Sequence, residues 1–339
     1  MTIATDLGRA LRGLAAGAAA VAVLALPALA QDRPAPAQDL PVLRLGLQLS
    51  GTVNWEVDTI RHEGLDTANG LTLAVQDMAA GPAAQVALQA GAVDAIVSDW
   101  LWVARQRADG QDLVFIPYSR AVGGLMVPAD SPAQRLGELA GGKIGIAGGP
   151  VDKSWLILRA YAERQEHIDL AAVTEQVFGA PPLIYKAALS GELQAAVNFW
   201  HFGAKMQAAG MRELISVQEA GTALGLDPGT PLLGYVLRGD VVRAHPGLAE
   251  GFAAASRAAK ETLATSADAW DRLRPMMNAA DDAEFEALKA GFIAGIPPEG
   301  PVDEAAAAKM LALMAELGGT ELVGSATTLP EGVFWKPAS

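Results

Sequence analysis

The residues best placed to do chemistry sit in one short run, Gly148-Gly149-Pro150-Val151-Asp152-Lys153-Ser154-Trp155. It lies between an apolar strand pattern, Ile144 to Ala147, and an apolar helix pattern that continues to Tyr161. Paired glycines let a backbone turn tightly with no Cβ in the way. A helix that starts behind such a turn has free N–H groups in its first turn, and these can donate to ligand oxygens. Asp152 can cap that helix or reach a ligand, and either use satisfies the same donors. The run is not a nucleotide P-loop. That motif needs a Gly directly before Lys-Ser/Thr, and here Asp152 precedes Lys153.

Other candidates occupy the same kind of place. In open parallel sheets, ligands bind beyond the carboxyl ends of the strands. Those ends carry Ser50, Thr52 and Trp55, then Ser98, Asp99 and Trp100, then Tyr118. In the second half they carry Gly149, Asp152, Ser154 and Trp155, then Asn198 and Trp200. Five of the seven tryptophans (Trp55, Trp100, Trp102, Trp155 and Trp200) fall at strand ends or helix starts. A single Trp is as readily core as ligand contact. Five so placed suggest a small-molecule cleft with aromatic walls, and Trp55, Trp100, Trp155 and Trp200 are expected to share it. Asp58, Asp99 and Asp152 are carboxylates able to converge there, and equally able to serve as surface residues or helix caps.

Catalytic constellations are poor. Of four histidines only His201 follows a strand end, with no nucleophile partner evident in sequence. No His/Asp/Glu cluster has metal-ligand spacing. The chain has no cysteine, which excludes thiolate zinc sites, Fe–S clusters, cysteine nucleophiles and disulfides. Neither a cofactor nor a metal is expected. The formal net charge of −13 argues against nucleic acid and anionic membrane surfaces as partners.

The elements that must position these residues are short apolar strands alternating with helices. "VLRLGLQLS", "LTLAVQDM", "VDAIVSD" and "DLVFIPYS" read as strands, with helices over "VNWEVDTIRHEG" and "GPAAQVALQAGA". After Gly123-Gly124 the rhythm restarts with "LMVPAD", a helix over "SPAQRLGELAG", then "KIGIAGG", a long helix, "AVTEQVFG", a helix and "LQAAVNFW". "AAQVALQAGAVDAIVSDW" and "LIYKAALSGELQAAVNFW" share one pattern: helix, Gly, acidic or amide residue, strand ending in Trp. The fold class is α/β with two similar lobes, each a mainly parallel sheet flanked by helices. Residues 41–119 begin the first lobe, 120–232 form the second, and 233–339 return to the first. The return strand is "GYVLRGD", and the amphipathic helices beyond it are expected to cover the first lobe. Hinges are expected at 119–124 and 229–234. Residues 1–30 read as a cleaved secretory signal: Arg9 and Arg12, an apolar run, then Ala28-Leu29-Ala30. Residues 31–40 read as a Pro/Ala-rich disordered leader.

These features resemble the periplasmic solute-binding proteins of ABC importers. "EGLDTANGLTLAVQDMAAGPAAQVALQAGAVDAIVSD" is similar to the nitrate/sulfonate/taurine and thiamine-precursor group. "VPADSPAQRLGELAGGKIGIAGG" resembles that group's second-lobe opening. The likeness runs from about Leu43 to Gly251. It departs where "TIRH" replaces the usual aromatic pair before E-G-L, and where the cysteine-rich signature of pyrimidine binders is missing. The resemblance implies a type II periplasmic-binding fold and no enzyme activity. It further implies an exported monomer that closes on a small polar organic solute by hinge bending and delivers it to ABC permease subunits in the membrane. Two alternatives stay open. One is a thiamine-pyrimidine-synthase-like enzyme on this fold, using His201; the other is a periplasmic ligand sensor.

Overall fold

The computed structural model describes residues 40–49, 51–245 and 247–337. The expected signal segment, nearly all of the leader, and Ser50 lie outside the described residues. The first strand–helix series is β1 (Val42–Gln48), α1 (Val53–His62), α2 (Leu65–Ala68), β2 (Thr72–Met78), α3 (Gly81–Gln89), β3 (Ala95–Asp99), α4 (Trp100–Ala108) and β4 (Leu113–Ser119). The chain then crosses to β5 (Gly124–Pro128), β6 (Lys143–Ala147), α5 (Lys153–Glu166), α6 (Leu170–Val173), β7 (Glu175–Gly179), α7 (Pro181–Leu189), β8 (Ala195–Val197), α8 (Trp200–Ala208), β9 (Met211–Ser216) and α9 (Val217–Ala223). It returns in β10 (Leu233–Arg238). The remaining helices are α10 (Gly239–Ala244), α11 (Leu248–Thr265), α12 (Ala267–Met277), α13 (Asp282–Ala294) and α14 (Glu304–Val323).

The strands form two five-stranded sheets, β2-β1-β3-β10-β4 and β7-β6-β8-β5-β9. β1 is parallel to β2 and β3, and β6 to β7 and β8. β10 is antiparallel to β3 and β4, and β5 to β8 and β9. The sheets are therefore mixed, each with one reversed strand. The reason is connectivity. The chain leaves each lobe at the carboxyl ends of its strands, so the strand that arrives from the other lobe starts at that end and runs backwards. The sheets correspond strand for strand, and Leu45 faces Ala95 in the first as Ile144 faces Ala195 in the second.

Local chemistry sets the helix starts. Asp99 caps α4, Asp152 caps α5, and Ser216 makes a capping box with Glu219 at α9. Prolines occupy the first turns of α3 and α7, where no N–H is needed. The expected helix over "SPAQRLGELAG" is only a 3-10 turn, Leu136–Leu139. Carboxylates take its N–H groups: Glu166, from α5, accepts from Leu136 and Gly137 at 3.1 and 2.8 Å, and Glu138, within the segment, accepts from Gln134 at 2.8 Å. Those bonds hold the segment in a shape that a full helix would break.

Two buried clusters organise the core. One lies within the first lobe and joins β1 and α1 to α11, α12 and α13 through Trp55, Tyr235, Phe252, Trp270 and Phe292. The other is continuous across both lobes, from Ile96 and Trp100 through Leu311 and Met314 to Ile146 and Trp155. The sequence reading gave every C-terminal helix to the first lobe. α11 and α12 do pack on α1, but α13 also packs against α8, and α14 lies against both α4 and α5. The tail beyond α14 returns to β4: Phe115 N–H donates to the Val333 carbonyl at 2.8 Å, and Trp335 N–H to the Phe115 carbonyl at 2.9 Å.

Candidate functional site

The carboxyl ends of the strands face one another between the lobes, and the helices that begin there come in matched pairs. Asp99 and Phe199 are the N-caps of α4 and α8, with Trp100 and Trp200 first in each helix. Thr52 and Asp152 stand at the N-caps of α1 and α5, with Trp55 and Trp155 third in each helix. Two of the contacts between the lobes join one helix start to the opposite lobe's, beside the packing of α13 on α8 and of α14 on α4 and α5.

The first contact is charged. Lys153 Nζ lies 3.1 Å from Asp99 Oδ2, joining the start of α5 to the start of α4. The other oxygen of Asp99 accepts from Trp102 N–H at 2.9 Å, and Asp152 accepts from Trp155 N–H at 3.0 Å. Both aspartates therefore cap helices, and Asp99 also binds across the cleft. Burial works against the charge on Lys153, but the neighbouring Asp99 outweighs it, and the ammonium pKa rises. Burial raises the Asp152 carboxyl; the bonds from Trp155 and Ser154 and the charge of Lys153 offset this in part, while Asp99 adds to it. A lysine in the first turn opposes the helix dipole, so its position answers to these two acids. Gly148 makes the approach to α5 with φ 114°, which an L side chain rarely adopts. A Cβ on Gly149 would meet nothing within 4 Å. The conformational demand thus falls on Gly148 alone, not on both glycines.

The second contact is aromatic. Trp55 of α1 meets Trp200 of α8 edge to face, with ring centroids 6.2 Å apart. Trp55 also meets Trp270 and Phe292 at 6.0 and 5.9 Å. Trp200 rests on Gly291 of α13, where a Cβ would lie 2.7 Å from the indole. Phe199, beside it, is 48 % exposed.

Trp55 is 4 % exposed, Trp100 0 % and Trp155 1 %, while Trp200 is half-buried. Trp100 and Trp155 belong to the cluster that spans both lobes; Trp55 and Trp200 belong to the other. Trp100 lies 5.6 Å from Phe334 and, among the described residues, its buried indole N–H has no partner. Asp99 and Asp152 converge on Lys153. Asp58 does not, because it is paired with Arg272 of α12.

Thr52 Oγ1 is 3.3 Å from the Tyr118 hydroxyl, and both residues are buried. Beneath them Glu56 accepts from Tyr235 and Ser256 at 2.8 and 2.6 Å and pairs with Lys260 at 2.6 Å, a fully buried charge network. Burial lowers the pKa of Lys260 against the opposing pull of Glu56, and burial with Glu56 raises Tyr118 and Tyr235. Ser98 accepts from Gln85 at 3.3 Å. Asn198 is buried; it donates to the Pro181 carbonyl at 3.0 Å and accepts from Phe199 N–H at 2.8 Å. Lys153 and Ser154 line a cavity of about 40 Å³ with Arg120, Thr230, Met310 and Met314, between the crossings and α14. It has room for a water or two.

Sequence reasoning left Phe199 out of the site and did not foresee that Lys153, in the run named above, reaches Asp99 across the cleft. Aligning "VSDW" with "VNFW" was the available signal, since it sets Phe199 opposite Asp99. His201 packs among rings, 4.6 Å from Phe202 and 5.7 Å from Trp200. Burial, with Lys205 adding, lowers its pKa to about 4, so it is neutral at pH 7. Among the described residues no group of three or more His, Asp or Glu could hold a metal ion, and no helix is long and apolar enough to cross a membrane.

Similar folds are found among solved structures. The periplasmic aliphatic sulphonate binding protein SsuA from Escherichia coli is 20 % identical with TM-score 0.65, over 84 % of this chain and 94 % of that one. The alkanesulfonate-binding protein SsuA from Xanthomonas axonopodis pv. citri, bound to MOPS, is 17 % identical with TM-score 0.62, over 88 % and 99 %. The Candida albicans CA3427 gene product, described as having the generic periplasmic binding protein fold, is 10 % identical with TM-score 0.59, over 88 % and 99 %. No curated protein matches the chain. The two mixed sheets with flanking helices are thus the two-lobed periplasmic-binding architecture, and a family model described as NMT1/THI5 like matches residues 61–268. The chain belongs to the NMT1/THI5-like family.

Proposed function

We propose that the protein is the extracytoplasmic substrate-binding component of an ABC importer. It captures a small polar organic solute between its lobes and delivers it to a membrane permease. The supporting observation is the pairing of helix starts across the cleft, charged on one side and aromatic on the other. A solute held there meets Asp99, Asp152 and Lys153 on one side and Phe199 and Trp200 on the other, which suits a charged group carried on an organic body. The sulfonates for which two similar structures are named have that form, and the start of α5 with Lys153 would favour an anionic headgroup.

The family's name leaves room for an enzyme. His201, the residue that reading would use, faces aromatic rings and Lys205 rather than an orienting carboxylate. The protein therefore binds without catalysis, with Thr52, Ser98, Asp99, Tyr118, Asp152, Ser154 and Asn198 as polar contacts, in the periplasm. Native mass spectrometry of protein purified from its own host tests it. A stoichiometric small molecule, released intact on denaturation, is expected. A chemically altered product released on incubation would replace the binding reading with an enzymatic one.

A further inference from the structure

We infer that Asp99 and Lys153 form a latch that holds the two lobes together before any solute arrives, so that opening the cleft requires a charge exchange. The pair joins α4 of one lobe to α5 of the other at 3.1 Å. Its side chains are 15 % and 26 % exposed, so water screens it only in part. Each partner is held on its own lobe by other bonds. Asp99 is fixed as a cap by Trp102 N–H, and Lys153 is the first residue of α5, directly after the capping Asp152. Lys153 has a reason to reach across: at the positive end of the α5 dipole it needs a carboxylate. The other contact between helix starts, Trp55 on Trp200, has no charge and can slide.

The positions matched to these two show why the device is one-sided. Phe199 stands where Asp99 stands, and Val53 where Lys153 stands. The helix starts are thus joined by charge at α4/α5 and by aromatic contact at α1/α8, while farther along α8 a second cross-lobe ion pair, Lys205 with Glu284 of α13, lies outside the latch. A solute that enters must offer its own charge to Asp99 or to Lys153, or else leave one of them half-buried and unpaired. The latch rests on the lobes being able to part, as in the binding reading, but it acts in the solute-free protein and is tested there.

The absence of cysteine permits clean labelling. Ala90 and Ser190 are exposed and lie at matched positions beyond α3 and α7. An Ala90→Cys/Ser190→Cys protein, spin-labelled and solute-free, reports lobe separation as a distance distribution. Asp99→Asn keeps a good helix cap but removes the charge. It and Lys153→Met should each lower the ratio of short to long distances about three- to tenfold. Lys153→Arg should restore the original distribution. Raising sodium chloride to about 1 M should shift the parent in the same direction and shift both variants less, because only the Lys205–Glu284 pair is left in them to screen. An unchanged distribution in both variants overturns the latch, whether or not the protein carries a solute through purification. Equal salt shifts in parent and variants also overturn it.

Discussion

The two lobes are copies in topology and opposites in chemistry. Their sheets match strand for strand, yet the starts of matched helices carry Thr52 against Asp152, Val53 against Lys153, Glu56 against Leu156, Asp99 against Phe199 and Leu101 against His201. The tryptophans are the positions that do not change: Trp55 with Trp155, and Trp100 with Trp200. The comparison separates two roles. Residues shared by both lobes fill the space behind the helix starts, and residues that differ set the charge of each cleft wall. The first lobe also buries an ion pair that the second lacks, because Leu156 takes the place of Glu56 and packs near Gly318 of α14.

The largest expected effect breaks that last contrast. Lys260→Met leaves Glu56 buried without its cation and should cost about 3–5 kcal/mol in urea unfolding. Adding Glu56→Leu, which copies the second lobe, should recover most of the loss. A double variant no more stable than the single one would mean that the network, rather than its charge, holds α1 to α11.

The next prediction concerns pH. His201 titrates at about 4 in the folded protein against 6.5 when unperturbed. As pH falls through 6.5 the unfolded chain takes up the proton first, so stability present above that pH is lost progressively down to about 4. The loss amounts to at most about 3 kcal/mol. His201→Leu, copying Leu101, should flatten the fall in melting temperature between pH 6.5 and 4. A slope equal to the parent's would assign that pH dependence to other groups.

A third prediction separates binding from folding. Ser154→Ala should weaken the solute identified by mass spectrometry about ten- to a hundredfold in calorimetric titration, with the solute-free melting temperature nearly unchanged. Its counterpart Asn54 donates to the carbonyls of Gln48, Leu49 and Gly51, so Asn54→Ala should lower the melting temperature instead. Unchanged affinity in Ser154→Ala would make the Gly148–Trp155 run a connector between strand and helix.

The smallest effect sharpens the comparison of caps. Asp152→Ala removes a bond to Trp155 N–H and should cost about 1 kcal/mol. Thr52 makes no side-chain cap bond at α1, so Thr52→Ala should cost less. Equal losses measured by thermal unfolding would show that the Thr52–Tyr118 contact matters as much as a cap.

Sequence by itself determined the alternation of strands and helices, the restart after Gly123, the repeated helix–Gly–strand–Trp unit and the lack of thiol chemistry. These are local matters. Apolar periodicity, prolines at helix starts and glycines at turns act over a few residues, and the run of Asp152 and Trp155 already carries its cap. Only the tertiary structure decided which carboxylates meet. Asp58, Asp99 and Asp152 looked alike in the chain, but α12 brings Arg272 to the first, while α5 brings Lys153 to the second. It decided that "SPAQRLGELAG" stays a turn, because Glu166 arrives from α5 to take its N–H groups. It also decided which tryptophans lie buried and which meet across the cleft, because that depends on α13, α14 and the C-terminal tail. Those segments come from the far end of the chain, and no local pattern announces where they will pack.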